Sequence, residues 1–476
     1  MPQPRIIALL CAAPLLALAG CAAGPDYQPP AEPGLKVPAR YGAAERPVAE
    51  AAVIPAVPAS AGDDSPWWEG FGDPVLSGFV RAALDRNLDI DAATARLRAA
   101  RAAARGSVGP LLPAIGASTS GSWRRDPNLP GTLDNFQGGL DASWELDLFG
   151  GNRRGREAAR ADAMRSAYAL ADVRRTVAAE AALAYLDART AQARLSVARS
   201  SLAHLDDLVA ITGWRFQAGL VTELDLEQAR AQRAQVAATV PALEQSFRVS
   251  GNRLAVLTGE APGHADPLLA EPKPLPVPAA VQPGLPAELL RRRPDVAAAE
   301  RGLAAETARL GVATASLLPS LRLAGSLGSS AASFSGVGDA VVRTLQASVA
   351  APLFRGGQLL ARRQQQQAAV DAALAGYRGS VLRAVEEAEA ALLATQAAAA
   401  REQRLLEAET FATRAAEMAR ARYTAGLVDF QSVLEAERSL LGSQDGRIAA
   451  QAARVSAAIQ LYKALGGDWT TASEGK

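Results

Sequence analysis

Cysteine is almost absent from this chain, with Cys11 and Cys21 the only two. Both lie at the N-terminus, so no disulfide framework and no Cys-based metal site can organise the rest. Histidine is equally scarce. His204 falls in a helical stretch and His264 in a Pro-rich segment, and neither neighbours a nucleophile or paired acids. No Gly-rich phosphate loop occurs, so hydrolase and transferase readings lack a constellation to rest on, and the chain reads as a non-enzyme. Charge of one sign is missing too. Lys and Arg number 50 against 49 Asp and Glu, which gives no electrostatic case for nucleic acid. After Cys21 there is no run of 18 apolar residues, which excludes a transmembrane helix and leaves β-strands as the one way to cross a bilayer.

What is present begins with Arg5, an apolar run from Ile6, and Leu18-Ala19-Gly20-Cys21. A positive charge, a short apolar stretch and small residues before a cysteine form a lipoprotein export signal. Residues 1–20 are expected to be removed. Cys21 is expected to carry S-diacylglycerol and N-palmitoyl groups, with no other cofactor and no metal. The mature chain of about 456 residues exceeds one ordinary domain. Residues 21–65, rich in Pro and Ala, read as an extended leader.

The remainder repeats itself at an offset of about 206 residues. Asn87 to Ala93 matches Arg293 to Ala299, Leu111-Leu112-Pro113 matches Leu317-Leu318-Pro319, Leu148-Phe149 matches Leu353-Phe354, and Ala218-Gly219-Leu220-Val221 matches Ala425-Gly426-Leu427-Val428. Shared helical bias does not place such words in one order at one spacing. The first repeat is assigned to 66–260 and the second to 287–470. A Pro-rich linker, 261–286, joins them, and 471–476 form a tail.

Each repeat reads as a helix, a β-hairpin and a long helical hairpin. The first helices are expected at about 74–105 and 286–316, the hairpins at about 113–149 and 319–354. Leu140, Ala142, Trp144 and Leu146 alternate with Asp141, Ser143 and Glu145, and Leu345, Ala347 and Val349 alternate with Gln346 and Ser348. Period two suits strands with one apolar and one polar face. The pattern fits a lipid-facing barrel and a half-buried soluble sheet alike. Four strands cannot close a membrane barrel, and an open edge in lipid leaves N–H and C=O groups without partners. Membrane strands here therefore require several copies of the chain.

No proline lies between Pro130 and Pro241 or after Pro352, and no glycine between Gly155 and Gly213 or between Gly379 and Gly426. A helix over about 152–211 would reach roughly 90 Å. Val177, Ala181, Ala184, Ala188, Ala191, Leu195, Ala198, Leu202, Leu205 and Val209 step by four and three, a coiled-coil seam. The two Ala-Gly-Leu words mark where these helices reverse, near 213–222 and 423–430. Gly219 and Gly426 suit left-handed helix ends. Leu220 and Leu427 then project at the turns, where an exposed apolar residue suits a docking partner.

These features, with CAAGPDYQPP (21–30), Trp67-Trp68, WELDLFG (144–150), RFQAGLVTELD (215–225), RRRPD (291–295), APLFRGG (351–357) and RYTAGL (422–427), resemble the TolC-type outer-membrane factors. The match is to their lipoprotein branch, the OprM- and NodT-like channels, and it spans nearly the whole mature chain. The resemblance implies an internally duplicated α+β membrane protein. Three copies would form a 12-stranded outer-membrane β-barrel continuous with a long periplasmic α-helical coiled-coil barrel, the linker lying in an equatorial belt. It implies a passive outer-membrane exit channel for small molecules, with most of its mass in the periplasm. The implied partners are its own homotrimer, outer-membrane lipid, a periplasmic adaptor and an inner-membrane pump of RND type.

By position in that family, Glu435 and Arg438 match a periplasmic gate, an acidic ring with an arginine one turn on. Tyr423 and Asp225 match a pair that ties neighbouring helices at the tip. Gln431 departs from the family, whose lipoprotein members carry an apolar residue there. Gly219, Leu220, Gly426 and Leu427 match the adaptor-docking tips. The competing reading is a lipid-anchored periplasmic helical scaffold or adaptor without a pore. The cargo and the identity of the pump are not written in these motifs.

Overall fold

A computed structural model describes residues 22–29, 41–45, 66–125, 132–277 and 293–466. Cys21, most of the leader, residues 278–286 of the linker and residues 287–292 of the second repeat lie outside the described residues. The first repeat contains α1 (Pro74–Arg86), α2 (Leu88–Gly106), β1 (Ala114–Arg125), β2 (Thr132–Leu146), α3 (Gly151–Gln217), α4 (Glu223–Ala237) and α5 (Thr239–Leu257). The second contains α6 (Pro294–Ala315), β3 (Ser320–Ala331), β4 (Val341–Ala350), α7 (Gln358–Thr424) and α8 (Phe430–Ala464).

Three elements differ from the sequence expectation, each for a local reason. The first helix is two helices. Asn87 is extended at ψ 130, its Oδ1 accepts from the amides of Asp89 and Ile90, and its Nδ2 donates to the Leu257 carbonyl. An asparagine that caps a new helix ends the old one. The helix after Gly219 is likewise divided, at Ala238, three residues before Pro241. Proline lacks an N–H and is tolerated only in a first turn. The second repeat has no such proline, and α8 runs unbroken for 35 residues. The long helix of the first repeat also passes through Gly213 and ends at Gln217, later than expected. Its 67 residues span about 100 Å at 1.5 Å per residue.

The chain forms two compact units, and α3 and α7 contribute to both. One unit holds 95–169 and 295–380 with the start of the leader. Its centre is a four-stranded antiparallel sheet in the order β1-β2-β3-β4, so the pairing of β2 with β3 fuses the two hairpins. Register sorts the residues by face. Leu146 and Val349 both oppose Leu321, Trp144 and Ala347 oppose Leu323, and Leu140 opposes Ala117 and Leu327. The other face carries Asp141, Glu145 opposite Arg322, Arg322 opposite Ser348, and Ser326 opposite Thr344. Leu140, Ile115, Leu345 and Val349 are all exposed, Leu345 at 87%. In the same unit the leader is strapped down. Ala23 N–H donates to the Phe149 carbonyl at 2.7 Å, and the buried Arg154 donates to Asp26 at 2.5 Å. Gly24 lies so close to Gly311 that a Cβ on it would be 2.7 Å from the Gly311 Cα.

The second unit holds 36–94, 170–294 and 381–476. Trp67, Phe71, Leu76, Phe79 and Val80 pack against Val177, Ala181, Tyr185 and Ala188 of α3 and Val455 and Ile459 of α8. Trp67 stacks on Tyr462 with ring centroids 5.2 Å apart. Within the seam, Val177, Ala181, Ala184, Ala188, Ala191, Ala198 and Leu205 are buried. Alanine dominates because close helix axes leave no room for longer side chains. Arg189 is fully buried in this unit, where its guanidinium donates to the Glu271 carbonyl at 2.7 Å and to the Tyr185 hydroxyl at 3.0 Å. With Gln192 Oε1 at 2.7 Å and the Leu269 carbonyl at 3.3 Å, four hydrogen bonds from its Nε and one Nη offset part of the loss of water around that charge.

Candidate functional site: the helical tips and the amphipathic sheet

The helix reversals are built alike in both repeats. Gly219 has φ +72 and Gly426 φ +75, the left-handed conformation that favours glycine. Leu220 N–H reaches back to the Arg215 carbonyl at 2.8 Å, and Leu427 N–H to the Arg422 carbonyl at 2.9 Å. These six-residue closures satisfy end carbonyls that have no helical partner. The next helix starts at once. Thr222 and Asp225 form a reciprocal capping box before α4, and Asp429 accepts from the Ser432 amide at 2.9 Å before α8. The exposed Asp429 carboxyl is held below its ordinary value by hydrogen bonds from Ser432. With the backbone fixed on both sides, Leu220 at 69% and Leu427 at 74% exposure cannot fold inward.

Behind the turns lies a small core of Leu205, Leu208, Ala229, Val236, Tyr423, Phe430, Val433 and Leu434. Tyr423 is its hub. Its hydroxyl lies 3.4 Å from Thr212 Oγ1, and the Phe430 ring packs edge-on at 5.9 Å. The Arg215 guanidinium covers its ring at 4.5 Å and donates to its carbonyl at 2.9 Å. One side chain thus joins α3, α7 and α8. Within this chain Asp225 accepts from the Thr222 amide at 2.9 Å and hydroxyl at 2.8 Å.

Glu435 and Arg438 are both exposed on α8, and Gln431 is exposed one turn earlier. Among the described residues no ion pair joins Glu435 to Arg438. Arg438 Nε donates to Gln232 Oε1 of α4 at 2.7 Å, so the arginine ties α8 to α4. The acid that is paired is Glu437, which is buried and takes both Nε and NH2 of Arg420 on α7, the NH2 at 2.7 Å. This bidentate bond raises the Arg420 pKa, opposed by burial. Sequence reasoning missed Arg420, Glu437, Gln232, Thr212 and Arg215. The first two sit 17 residues apart across a turn whose geometry the AGL word already fixes. An Arg one turn before the end of one helix and a Glu two turns into the next were the available signal.

The sheet supplies the second functional surface. Among the described residues β1 pairs with β2 alone and β4 with β3 alone, which leaves two outer edges. An apolar face with open edges is stable in a bilayer only when further strands close the ring.

The outer membrane efflux protein description matches this chain twice, at residues 79–260 and again at 285–467. The chain belongs to the outer membrane efflux protein family. The double match is the internal duplication seen in the words and in the fold. The pyoverdine export outer membrane protein OpmQ of Pseudomonas aeruginosa is 33% identical over 476 residues, covering 97% of this chain and 96% of that protein. Outer membrane protein OprJ of the same species is 31% identical, with 98% and 96% covered. Nodulation protein T of Rhizobium leguminosarum bv. viciae is 32% identical over 92% of this chain and 88% of its own length. Among solved structures, the outer-membrane channel OprN superposes with a TM-score of 0.84 at 34% identity, covering 94% of this chain and 99% of that one. The open state of the Neisseria gonorrhoeae MtrE channel gives 0.80 at 25%, with 94% and 98% covered.

This family member therefore has the fold of the trimeric TolC-type channels, with strands in the outer membrane and long periplasmic helices. It acts as an outer-membrane exit channel of tripartite efflux, and its relatives are transport proteins rather than enzymes.

Proposed function

We propose that three copies of this chain form a passive duct, lipid-anchored through Cys21, that receives cargo from a periplasmic adaptor and an RND-type inner-membrane pump. The observation that carries the duct reading is the sheet register: one face apolar across Leu321, Leu323, Trp144, Leu140 and Leu345, with Arg343 opposite Leu327 at its margin, one largely polar face and, among the described residues, two unpaired edges. Three such sheets give 12 strands and leave no edge in lipid. The polar face, with Asp141, Glu145, Arg322 and Thr344, then lines a wet and permissive lumen.

At the other functional surface, the fixed Gly219 and Gly426 turns hold Leu220 and Leu427 out for an adaptor. Exposed Glu435 side chains from three copies would gather like charge and favour cations at the periplasmic end. Gln431 beside it adds a polar rather than an apolar constriction. Arg438 contributes by holding α8 to α4 through Gln232, and Tyr423 by locking α3 to α7 and α8. Asp225 contributes as the cap of α4.

The experiment is conductance in a planar bilayer with the full chain purified from outer membranes. Small, closed-state currents that rise when Arg438→Ala releases α8 support the duct and the closing role together. A lipid-anchored protein that never conducts points to the scaffold reading. Incorporation of labelled palmitate, lost in Cys21→Ser, tests the anchor.

A further inference from the structure

The strongest unassigned feature is a cleft of about 380 Å³ in the sheet-bearing unit. Its wall carries Tyr27, Arg153, Arg156, Glu157, Arg160 and Arg301. Four cations face one acid, and most of that charge is already spent. Arg153 pairs with Asp147 at 3.3 Å, Glu157 with Arg154 at 2.8 Å, and Arg301 with Glu300 at 2.6 Å. That leaves Arg156 and Arg160, which have no acidic partner among the described residues. They lie four apart on α3, where two like charges repel. The Nε of Arg156 is buried with no hydrogen-bond partner. A buried donor without an acceptor costs free energy that a bound anion would recover.

The cleft also has a defined place in the chain. β2 has 15 residues, about 50 Å long at 3.4 Å per residue. Even steeply tilted it exceeds a ~30 Å hydrocarbon core, so its end at Leu146 emerges among headgroups. Helix α3 begins five residues later, and Arg156 and Arg160 lie within ~14 Å of its start. The segment that follows Cys21 passes the same spot. Ala23 bonds to Phe149, and the Tyr27 hydroxyl donates to Glu300 at 2.8 Å. Guanidinium groups bind phosphate through paired N–H donors.

We propose that Arg156 and Arg160 form a binding site for a phosphate-bearing anion, the phosphate of a lipid headgroup or free phosphate. The site sits where the leader meets the strand-to-helix junction. A bound phosphate neutralises the i,i+4 pair and satisfies the stranded Arg156 Nε.

Native mass spectrometry of the full chain in detergent, stripped of lipid, tests this with three probes: phosphatidylglycerol, diacylglycerol of the same chains, and inorganic phosphate. The expected result is retention of phosphatidylglycerol and not of diacylglycerol. Affinity should fall about tenfold or more in Arg156→Gln/Arg160→Gln. It should be unchanged in Arg362→Gln, an exposed arginine of the same unit. Arg156→Lys, which keeps the charge, should bind with intermediate affinity if the double variant does not fold. Phosphatidylglycerol binding beyond that of inorganic phosphate identifies a headgroup as the source. Equal, arginine-dependent binding of phosphate alone identifies the free ion. Equal retention of diacylglycerol, or undiminished binding in the double variant, overturns the proposal. So does failure of both phosphate probes with loss of the oligomer in the double variant, which would make a second copy's acid the true partner.

Discussion

Replacing Arg420 should loosen the helical tip far more than replacing the acid it holds. Glu437 keeps only 8% of its side-chain surface, whereas Arg420 keeps 32%. In Arg420→Ala the carboxylate loses two charge-assisted bonds and stays buried between helices without a counter-ion. Breaking a fully buried pair costs ~3–5 kcal/mol, and the partial exposure of Arg420 reduces that to about 2 kcal/mol. In Glu437→Ala the stranded group is a long arginine that can turn to water, and the cost falls to about 1 kcal/mol. Arg420→Met with Glu437→Leu removes both charges and should lie near the parent. Hydrogen exchange at the amides of α7 and α8 beside the turn reads this directly. Arg420→Ala should speed local opening about 30-fold and Glu437→Ala about fivefold. Equal effects, or a larger one for the acid, would refute the burial argument. So would a double variant as labile as Arg420→Ala.

Three further outcomes follow from the geometry. Gly426→Ala forces a left-handed residue to carry a Cβ 3.5 Å from the Arg215 guanidinium, while Gly219→Ala meets open space. The 3.5 Å contact is an ordinary van der Waals distance, so the positive φ sets the cost in both, and both should lose a similar ~1 kcal/mol of tip stability by hydrogen exchange. Leu140→Arg puts a charge on the apolar face and should cut outer-membrane recovery, at a cost of ~2–4 kcal/mol near the bilayer centre. Gln346→Arg on the polar face should be recovered normally, as judged by membrane fractionation. Asp429 has a lowered pKa, so its contribution to the α8 cap is present above the ordinary value of 3.8 and is lost as pH falls through the lowered native value. The protection factor of the Ser432 amide should fall on acidification below that value, and Asp429→Asn should abolish that fall while keeping a cap.

Much of this architecture was legible in the residues, and the illegible part has a common cause. The strand faces could be read because period two is local, and the register then placed Leu140, Trp144 and Leu321 on one side. The turns could be read because Ala-Gly-Leu carries its own closure at Gly219 and Gly426. The break at Asn87 was missed because helix formers flank it on both sides, whereas the break at Ala238 was legible, since Pro241 stands three residues on in the sequence. A side-chain cap that also bonds Leu257, far along the chain, decides the first. Pro241 decides the second, through a backbone that must begin anew before it. The tip contacts failed for the same reason of distance. Arg438 finds Gln232, 206 residues away, only once α8 lies on α4, and a nearby acid in sequence is no substitute. An i,i+3 spacing allowed the Glu435 pair but did not require it.

The central claim is that this sheet closes only as part of a shared barrel. It is tested most directly by measuring mass and single-channel conductance on one detergent-purified sample of the full chain. The account predicts a particle of three copies that conducts when reconstituted. A stable monomer whose strands resist exchange and which passes no current would contradict it.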